Sequence, residues 1–431
     1  MKEWQRIAQL SHRTGGSATI LGWVTHHRSS GRIQFVTIRD GTGEVQGVVR
    51  ADEVSAETWE TTRALSQEAA VKISGQVRAD PRAPGGVELV VAGLELVGAS
   101  ADYPLTPKEH GTDFLMEHRH LWVRTPRQAA ILRLRARIIH AIRGFLDDHG
   151  FVLADPPIIT PAAAEGTTTL FGLDYFGEPA YLSQSGQLYM EALAMALGRV
   201  YSFGPTFRAE KSKTRRHLSE FWMVEPEMAF CDFEENLLWQ EELVTYVVEE
   251  VLRHAPRELE ILGRDQEPLR KVRPPFPRLS YDEALERLAE AGMPLTWGED
   301  FGAAHETYLG GIYPAPVFIH RFPAAHKAFY MKPDPDRPEV VLAADLLAPE
   351  GYGEIVGGSQ RIDDLDLLER RLFEHHLPAD TYAWYLDLRR YGSVPHSGFG
   401  LGVERLVAWI GRLEHVRETI PFARTLTRVW P

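Results

Sequence analysis

The strongest constraint on the fold comes from the first hundred residues, where short runs alternate apolar and polar side chains. The runs are Ala18–Val24, Gln34–Arg39, Glu44–Val49, Ala70–Gln76 and Glu88–Val97. Glycine and Asp-Gly pairs separate them, and such residues favour tight turns. Alternation with period two turns one face of each run toward a core. The pattern therefore predicts an all-β domain over residues 1–100, with five strands and one short helix near residues 57–66.

The remaining residues predict a second domain of the α+β class. Residues 101–125 show little periodicity and are predicted to be a hinge or linker. A helix is expected to begin at Thr125-Pro126, because threonine caps helices and proline suits their first turn. Strand-like and helix-like runs then mix through residues 126–431, which predicts an antiparallel sheet flanked by helices. Within this domain, residues 255–315 are expected to be an insertion of unassigned role.

Cysteine content and hydropathy limit the class of protein. Cys231 is the single cysteine, so an intrachain disulfide and a zinc site built on several cysteines are excluded. No run of 18 apolar residues occurs, and the first residues lack the apolar stretch of a secretory signal. We therefore expect a cytoplasmic protein that does not insert into a membrane.

The charge distribution favours a polyanionic partner in defined places. The net charge is −13, which by itself argues against nucleic-acid binding. Two segments differ from this average: residues 1–50 hold seven basic and three acidic residues, and Phe207–Arg216 holds five basic residues and one acid. Such patches suit a protein that binds a polyanion locally. Ordinary solvated charge is the alternative.

Three segments, in order, resemble the signature motifs of class II aminoacyl-tRNA synthetases. They are Gly150–Thr160 (GFVLADPPIIT), Phe207–Glu227 (FRAEKSKTRRHLSEFWMVEPE) and Gly398–Leu406 (GFGLGVERL). Five strands with one short helix fit an OB-fold barrel, and an N-terminal barrel of this kind is similar to the aspartyl, asparaginyl and lysyl branch. The resemblance implies an OB-fold anticodon-binding domain, a class II catalytic domain, an ATP-dependent ligase activity and a homodimer formed through the first motif.

The resemblance also implies a nucleotide site. Arg208 and Arg405 match the arginines that act on the phosphates and carry catalysis. Further matching positions contact phosphates, adenine and metal: Glu210, His217, Phe221 and Glu354. A guanidinium can form a bidentate contact with a phosphate and stabilise charge that develops on it. Each residue alone is compatible with a surface ion pair or a core aromatic, whereas the ordered set predicts ATP binding.

Asp345 and Glu354 are the predicted ligands of Mg²⁺. Magnesium favours carboxylates together with water and phosphate oxygens. Glu354 lies in Gly353–Arg361 (GEIVGGSQR), which resembles the family segment that carries a metal-binding acid. The spacing to the second acid varies within the family, and a solvated acid at a turn is the alternative interpretation of Asp345.

The amino-acid pocket is predicted to suit asparagine. Glu165, Ser185 and Gln187 match family residues that hold the α-ammonium group and its surroundings. An amide side chain needs a donor for its oxygen and an acceptor for its NH₂ group, and the predicted pair is Arg361 and Glu225. Aspartyl enzymes present a lysine where this chain has Met190. The absence of that charge favours the asparaginyl members of the family, although Met190 also suits core packing.

The N-terminal barrel is predicted to bind the anticodon of tRNA(Asn). Arg28, Phe35 and Gln46 match family residues that stack on and hydrogen-bond the central uridine. Unpaired bases stack well on aromatic rings. The alternative is that Phe35 points into the barrel core, as half of the residues of a barrel strand do.

The sequence thus predicts an enzyme that joins asparagine to tRNA with ATP and Mg²⁺. Three alternatives stay open. An aspartyl-tRNA synthetase, including one that charges both tRNAs, shares the architecture, but Met190 speaks against it. A related asparagine synthetase would not need residues 1–100. A non-catalytic RNA-binding relative would be expected to lack Arg208, Glu354 or Arg405, and all three are present.

Overall fold

The computed structural model describes residues 4–161 and 169–431. The chain divides into two compact units, Met1–Leu115 and Met116–Pro431. The division falls inside the stretch for which a linker is predicted.

The first unit is a β-barrel whose strands close in the order β1-β2-β3-β5-β4. Its elements are a 3₁₀ turn (Ile7–Arg13), β1 (Ser17–Ser30), β2 (Ile33–Arg39), β3 (Glu44–Arg50), α1 (Ala56–Arg63), β4 (Ala70–Ala79), a 3₁₀ turn (Pro84–Gly86) and β5 (Val87–Gly98). Alternate residues such as Ile20, Val36 and Ile38 are buried in its core. The predicted OB-type barrel is confirmed. Strand β1 extends beyond Val24, the predicted end of the run. Its last residues are exposed but pair with β2, and an apolar pattern cannot reveal such a pairing.

The main sheet of the second unit supports the candidate site. Its strands are β6 (Val152–Leu153), β10 (Arg199–Phe207), β11 (Glu220–Ala229), β12 (Arg278–Ser280), β13 (Val317–His320), β14 (Ala343–Ala348), β15 (Gly353–Gln360) and β16 (His396–Gly402). They lie in the order β12-β13-β14-β15-β16-β11-β10-β6. The predicted antiparallel sheet is confirmed for β13 through β10. The two edge pairs, β12 with β13 and β6 with β10, are parallel. A smaller sheet contains β7 (Ile159–Thr160), β9 (Glu178–Leu182) and β8 (Gly172–Tyr175) in that order.

Helices pack around this sheet. They are α2 (Thr112–Glu117), α3 (Arg119–Trp122), α4 (Pro126–Asp148), α5 (Gln187–Leu197), α6 (Phe233–His254), α7 (Pro256–Ile261), α8 (Glu267–Arg270), α9 (Tyr281–Glu290), α10 (Ala303–Gly311), α11 (Leu365–Glu374), α12 (Ala383–Arg390) and α13 (Val403–Gly411). Short 3₁₀ turns occupy Ala324–His326, Ala379–Tyr382 and Val416–Glu418. Helix α4 begins as predicted, because the side chain of Thr125 accepts a hydrogen bond from the amide of Gln128 and Pro126 occupies the first turn.

Two predicted stretches contain more structure than their sequences indicate. The stretch 101–125 includes α2 and α3, and the buried guanidinium of Arg119 donates to the carbonyl oxygens of Pro421 and Ile420, at 2.8 and 2.9 Å. Residues 255–315 contain α7 to α10 and also β12, which joins the main sheet. None of the described helices is long and apolar enough to cross a lipid bilayer.

Glycines in β16 let the central strands approach closely. A Cβ atom at Gly398 would lie 2.0 Å from Oε2 of Glu227, and one at Gly400 would lie 2.4 Å from Cε of Met223. At Gly398 the Cβ atom would also lie 2.5 Å from the backbone oxygen of Pro226, which cannot move aside as the end of a flexible side chain can. Glycine is therefore required at position 398, where β16 passes beside β11.

Candidate active site

Two adjoining cavities open over β10, β11, β15 and β16. The first has a volume of about 390 Å³ and the second about 570 Å³. Both are lined by Arg208, Met223, Glu354 and Gly400. These shared residues mark a junction at which groups bound in the two cavities would meet.

The first cavity brings together the six residues predicted to bind ATP. Its lining includes Arg208, Glu210, His217, Phe221, Glu354 and Arg405. Arg208 directly follows β10, and its guanidinium donates to the carbonyl oxygen of Gln184 and lies 5.6 Å from the ring centroid of Phe221. The cavity thus combines a guanidinium and an aromatic ring at one position.

Glu210 carries a polar atom that is available to a ligand. Its Oε1 is buried and has no hydrogen-bond partner within residues 4–161 and 169–431. A buried acceptor of this kind is costly unless something donates to it. An exocyclic amino group in the first cavity would satisfy it.

Charged groups at the floor of the first cavity are paired. Nη1 of Arg405, on α13, donates to the carbonyl oxygen and to Oε2 of Glu354, each at 2.9 Å. Burial tends to raise the pKa of Glu354, but Arg405 and Lys327 hold it below the ordinary value. Burial and the nearby Arg405 lower the pKa of His217, so its imidazole is neutral at pH 7 and can accept or donate a hydrogen bond.

The second cavity holds the polar residues predicted to bind the amino acid. Ser185, Gln187, Glu225 and Arg361 all line it. Oε1 of Glu225 accepts from the hydroxyl of Ser185, and Oε2 accepts from the amide of Gly186 at 2.9 Å and from the hydroxyl of Ser202 at 3.1 Å. The carboxylate is therefore fixed by several donors while one side of it faces the cavity.

Arg361 is held by Glu227, a residue that the sequence analysis did not single out. Nε and Nη2 of Arg361 donate to the two oxygens of Glu227, at 3.0 and 2.8 Å, and Nη1 donates to the hydroxyl of Ser359 at 2.7 Å. Glu227 raises the pKa of Arg361 against the opposing effect of burial. The bidentate pair fixes the plane of the guanidinium at the cavity wall.

Asp345 and Glu354, the predicted metal ligands, lie on the neighbouring strands β14 and β15. A Cβ atom at Gly357 would lie 2.9 Å from Oε1 of Glu354 and 3.5 Å from Oδ1 of Asp345, so both carboxylates flank one backbone position. Lys327 donates to Asp345 at 2.9 Å. Burial raises the pKa of Asp345 to about 6, and the charge of Glu354 acts in the same direction.

The donors around these two acids fit a hard divalent cation. Asp345 and Glu354 also line a third cavity of about 150 Å³ together with Asp300 and Glu306. Its charged or polar side chains are carboxylates except for Lys327. Carboxylate oxygens are the ligands that magnesium prefers. The donor set therefore matches the predicted metal.

A different cluster of possible ligands is already neutralised by protein cations. In the described parts of the chain, Glu191, Glu227 and His396 form the one group of at least three His, Cys, Asp or Glu side chains whose ligand atoms lie within 4.8 Å of one another. Arg389 pairs with Glu191 at 2.6 Å, and Arg361 pairs with Glu227. Two guanidinium groups thus already neutralise the carboxylates that a metal ion would use.

The predicted anticodon residues lie on one outer face of the barrel. Arg28 on β1 is paired with Phe35 on β2, and its guanidinium lies 4.2 Å from the centroid of that ring. Phe35 is half-buried, whereas its neighbours Gln34 and Val36 are buried. Gln46, on β3, donates to Glu88 at 3.4 Å. The ring of Phe35 is thus outside the core.

Comparison with known proteins identifies the family. The family described as tRNA synthetases class II (D, K and N) matches residues 111–426, and an OB-fold nucleic acid binding domain matches residues 18–97. An asparagine–tRNA ligase from Desulforamulus reducens is 61% identical, with 99% of each chain covered. One from Pelotomaculum thermopropionicum is 60% identical over the same share of each chain. The chain belongs to the asparagine–tRNA ligase family.

Solved structures of the family agree with this assignment. The asparaginyl-tRNA synthetase from Pyrococcus horikoshii complexed with asparaginyl-adenylate is 46% identical, covers 100% of both chains and has a TM-score of 0.97. An aspartyl-tRNA synthetase from Entamoeba histolytica has a TM-score of 0.85 at 28% identity, over 99% of this chain and 93% of that one. The shared fold alone therefore does not separate the asparaginyl from the aspartyl branch.

Glu165, the remaining residue that is predicted to bind the amino acid, lies outside the described residues. Met190 is fully buried and packs with Ala194 and Val200, and the lining of the second cavity does not include it. This family member therefore has a buried core side chain at the position where the resemblance to aspartyl enzymes leads one to expect a lysine.

Sequence reasoning missed several residues that the fold brings to the cavities. Glu227 had a usable signal, because it lies two residues after Glu225 on a strand and therefore on the same face. Lys327 reaches the third cavity from a loop, and Glu306 reaches it from α10. Their approach depends on the arrangement of the sheet, so no local pattern reveals it.

Proposed function

We propose that this chain joins asparagine to tRNA(Asn) in two steps. Asparagine and ATP first give asparaginyl-adenylate and pyrophosphate, and the asparaginyl group then passes to the terminal adenosine of the tRNA. The observation that carries the proposal is the junction of the two cavities at Arg208 and Glu354. A nucleotide in one cavity and an amino acid in the other would meet there.

The first cavity supplies the groups that an ATP molecule needs. Phe221 offers a ring for adenine, and the unsatisfied Oε1 of Glu210 offers an acceptor for its amino group. Arg405 and His217 would contact the phosphates beyond the α position. Members of the family use ATP, as the adenylate complex of the Pyrococcus horikoshii enzyme indicates.

Activation requires charge stabilisation and alignment rather than a protein nucleophile. A carboxylate oxygen of asparagine attacks the α-phosphorus, the bond to the bridging oxygen breaks, and pyrophosphate leaves with that electron pair. Arg208 lines both cavities, and it would stabilise the charge that develops on the α-phosphate. Holding both reactants in adjoining cavities turns the reaction into an intramolecular one, which lowers its entropic barrier.

Asp345 and Glu354 would hold Mg²⁺ in the same proposal. When bound, the ion neutralises phosphate charge and orients the polyphosphate. Lys327 pairs with Asp345 at 2.9 Å and keeps that carboxylate directed toward the cavity.

The second cavity would recognise the two ends of asparagine separately. Nε2 of Gln187 donates to Glu191 at 2.6 Å, so its carbonyl oxygen is left to accept from the α-ammonium group, with Ser185 and Glu165 beside it. At the side chain, Arg361 would donate to the amide oxygen and Glu225 would accept from the NH₂ group. An aspartate side chain would place a carboxylate against Glu225 and be repelled.

The barrel would bind the anticodon. Phe35 presents a ring outside the core with Arg28 stacked on it, which suits an unpaired base, and Gln46 lies on the next strand to donate a hydrogen bond. Stacking of one base contributes about 1–3 kcal/mol.

A homodimer and a cytoplasmic location complete the proposal. Val152, Ile158 and Ile159 belong to the first motif and are 45, 43 and 45% exposed. Apolar side chains grouped in this way favour a protein–protein contact, and a second copy of the same segment would cover them. Charged tRNA is consumed during translation, which favours the cytoplasm.

Amino-acid-dependent exchange of pyrophosphate into ATP tests the proposal. The purified protein is assayed with asparagine and with aspartate, without tRNA and with saturating Mg²⁺. We expect exchange with asparagine that exceeds exchange with aspartate by at least about a thousandfold in kcat/KM. Equal rates with both amino acids, or exchange with aspartate alone, would refute the proposed substrate.

A further inference from the structure

Two carboxylates on β11 are held in different ways. Glu225 and Glu227 lie on the same face, and both line the second cavity. Glu227 is neutralised by the guanidinium of Arg361. The hydrogen bonds that reach Glu225 from the described residues come from neutral groups: the Ser185 hydroxyl, the Gly186 amide and the Ser202 hydroxyl.

These three donors leave a defined part of Glu225 for a ligand. An ionised carboxylate has about four acceptor positions. Three of them are occupied, one on Oε1 and two on Oε2, so one position on Oε1 remains, and it can only accept. Glu225 is 8% exposed, so the ligand meets this acceptor in a poorly hydrated place, where an unpaired or repelled group is costly.

The other carboxylates that line the second cavity have cationic partners. Arg361 pairs with Glu227, Lys327 pairs with Asp345, and Glu354 pairs with Arg405. The carboxylate of Glu225 has no such counter-ion within 4 Å in the described ranges. Its negative charge therefore acts on the ligand side chain more strongly than the paired charges do.

We propose that Ser202 is a positioning residue that determines the preference for asparagine over aspartate. Ser202 lies on β10 directly opposite Glu225 in the strand register, and its hydroxyl donates to Oε2 at 3.1 Å. It is 1% exposed and does not line the cavity, so it acts on the substrate only through Glu225. The inference rests on the proposed function, because it requires Glu225 to face the substrate amide.

Loss of this donor weakens the discrimination by freeing the carboxylate of Glu225 to turn. Without the Ser202 hydroxyl, only donors from the Ser185–Gly186 segment still fix that carboxylate. A carboxylate that can turn away from the ligand repels the side chain of aspartate less.

The test compares exchange kinetics of the full-length protein with the two amino acids. In Ser202→Ala we expect the ratio of kcat/KM for asparagine to that for aspartate to fall about 10- to 100-fold, with the KM for ATP unchanged. The range corresponds to the loss of one hydrogen bond to a charged group. Ser202→Cys nearly keeps the volume but donates weakly, and its ratio should lie between those of Ser202→Ala and the wild type.

Ser397→Ala is the matched control. Ser397 is fully buried on the same sheet, and its hydroxyl donates to the carbonyl oxygen of Cys231 at 2.9 Å. This variant loses a comparable hydroxyl without touching Glu225, so its ratio should equal that of the wild type. An unchanged ratio in both Ser202 variants, or an equal fall in Ser397→Ala, would overturn the inference. Failure of the wild type to activate asparagine would instead overturn the proposed function.

Discussion

Arg208 shows how much a single residue depends on its position. Its guanidinium is directed by the carbonyl oxygen of Gln184 and lies beside the ring of Phe221. Both contacts keep a planar donor at the junction of the cavities. A lysine would keep the charge but lose the planar fork and the stacking.

We therefore expect Arg208→Lys to lower kcat for asparagine-dependent pyrophosphate exchange by about 10²- to 10³-fold, the effect of removing one donor from a developing charge. Arg199→Lys is the control. Arg199 begins the same strand, and its guanidinium lies 5.0 Å from the ring centroid of Trp239, outside both cavities. Wild-type exchange by Arg208→Lys would contradict the proposed role.

His320 gives a prediction about pH. Burial, followed by the neighbouring Arg321, lowers the pKa of His320 to about 4, and Arg321 donates to its Nδ1 at 3.1 Å. In the unfolded chain the pKa is about 6.5. Between these values the unfolded state binds more protons, so the stability contributed by neutral His320 is complete above about pH 6.5 and is lost as the pH falls toward 4.

Glutamine is neutral throughout this range, so His320→Gln should be less sensitive to acid than the wild type. The difference in Tm between wild type and variant should shrink as the pH falls from 7 to 4.5, as measured by thermal unfolding followed by circular dichroism. His12→Gln, at an exposed position, provides the control. A Tm difference that is constant with pH would show that His320 does not contribute in this way.

At the scale of elements, one buried group of side chains joins α5 to α12 and β16. Glu191 on α5 accepts from Tyr385 and Arg389 on α12, at 2.7 and 2.6 Å, and pairs with His396 on β16 at 2.9 Å. Burial would raise the pKa of Glu191, but Arg389 and His396 hold it below its ordinary value. The carboxylate is therefore charged, and it links three elements that are distant in sequence.

Glu191→Ala should destabilise the protein by about 3–5 kcal/mol, because it leaves the charge of Arg389 buried without a partner. The measurement is denaturant-induced unfolding of the full-length chain. Arg390→Ala is the control, since the ion pair of Arg390 with Asp387 is exposed, and its removal should leave the free energy of unfolding nearly unchanged. Equal stability of the two variants would contradict the structural role of this group.

The elements also show what the sequence can predict. The start of α4 at Thr125-Pro126 and the strands of the barrel follow from local rules of capping and alternation, so they were predictable. The pair of Glu227 with Arg361 joins residues 134 positions apart, and Glu191 meets His396 across 205 positions. Such contacts depend on the order of strands in the sheet, and no spacing along the chain encodes them.

At the scale of the whole molecule, the residues proposed to bind the anticodon and those proposed to activate the amino acid lie in different units. Arg28, Phe35 and Gln46 belong to Met1–Leu115, and the two cavities belong to Met116–Pro431. The net charge of −13 makes nonspecific attraction of RNA weak. We therefore expect specific contacts, such as the proposed stacking on Phe35, to contribute a larger share of tRNA affinity.

A substitution in the barrel should consequently affect the aminoacylation of tRNA without affecting pyrophosphate exchange. We expect Phe35→Ala to lower kcat/KM for tRNA about 10- to 100-fold in aminoacylation, because one base loses its stacking surface. Pyrophosphate exchange with asparagine should be unchanged, since that reaction uses only the second unit.

Trp23→Ala is the matched control for Phe35→Ala. Trp23, like Phe35, is an aromatic residue paired across β1 and β2 with an arginine; its partner is Arg39, whose guanidinium lies 5.1 Å from its ring. Loss of this ring should leave kcat/KM for tRNA within about twofold of the wild type. An equal decrease in both variants would indicate a general effect on the barrel, and an equal loss of exchange and aminoacylation in Phe35→Ala would contradict separate roles for the two units.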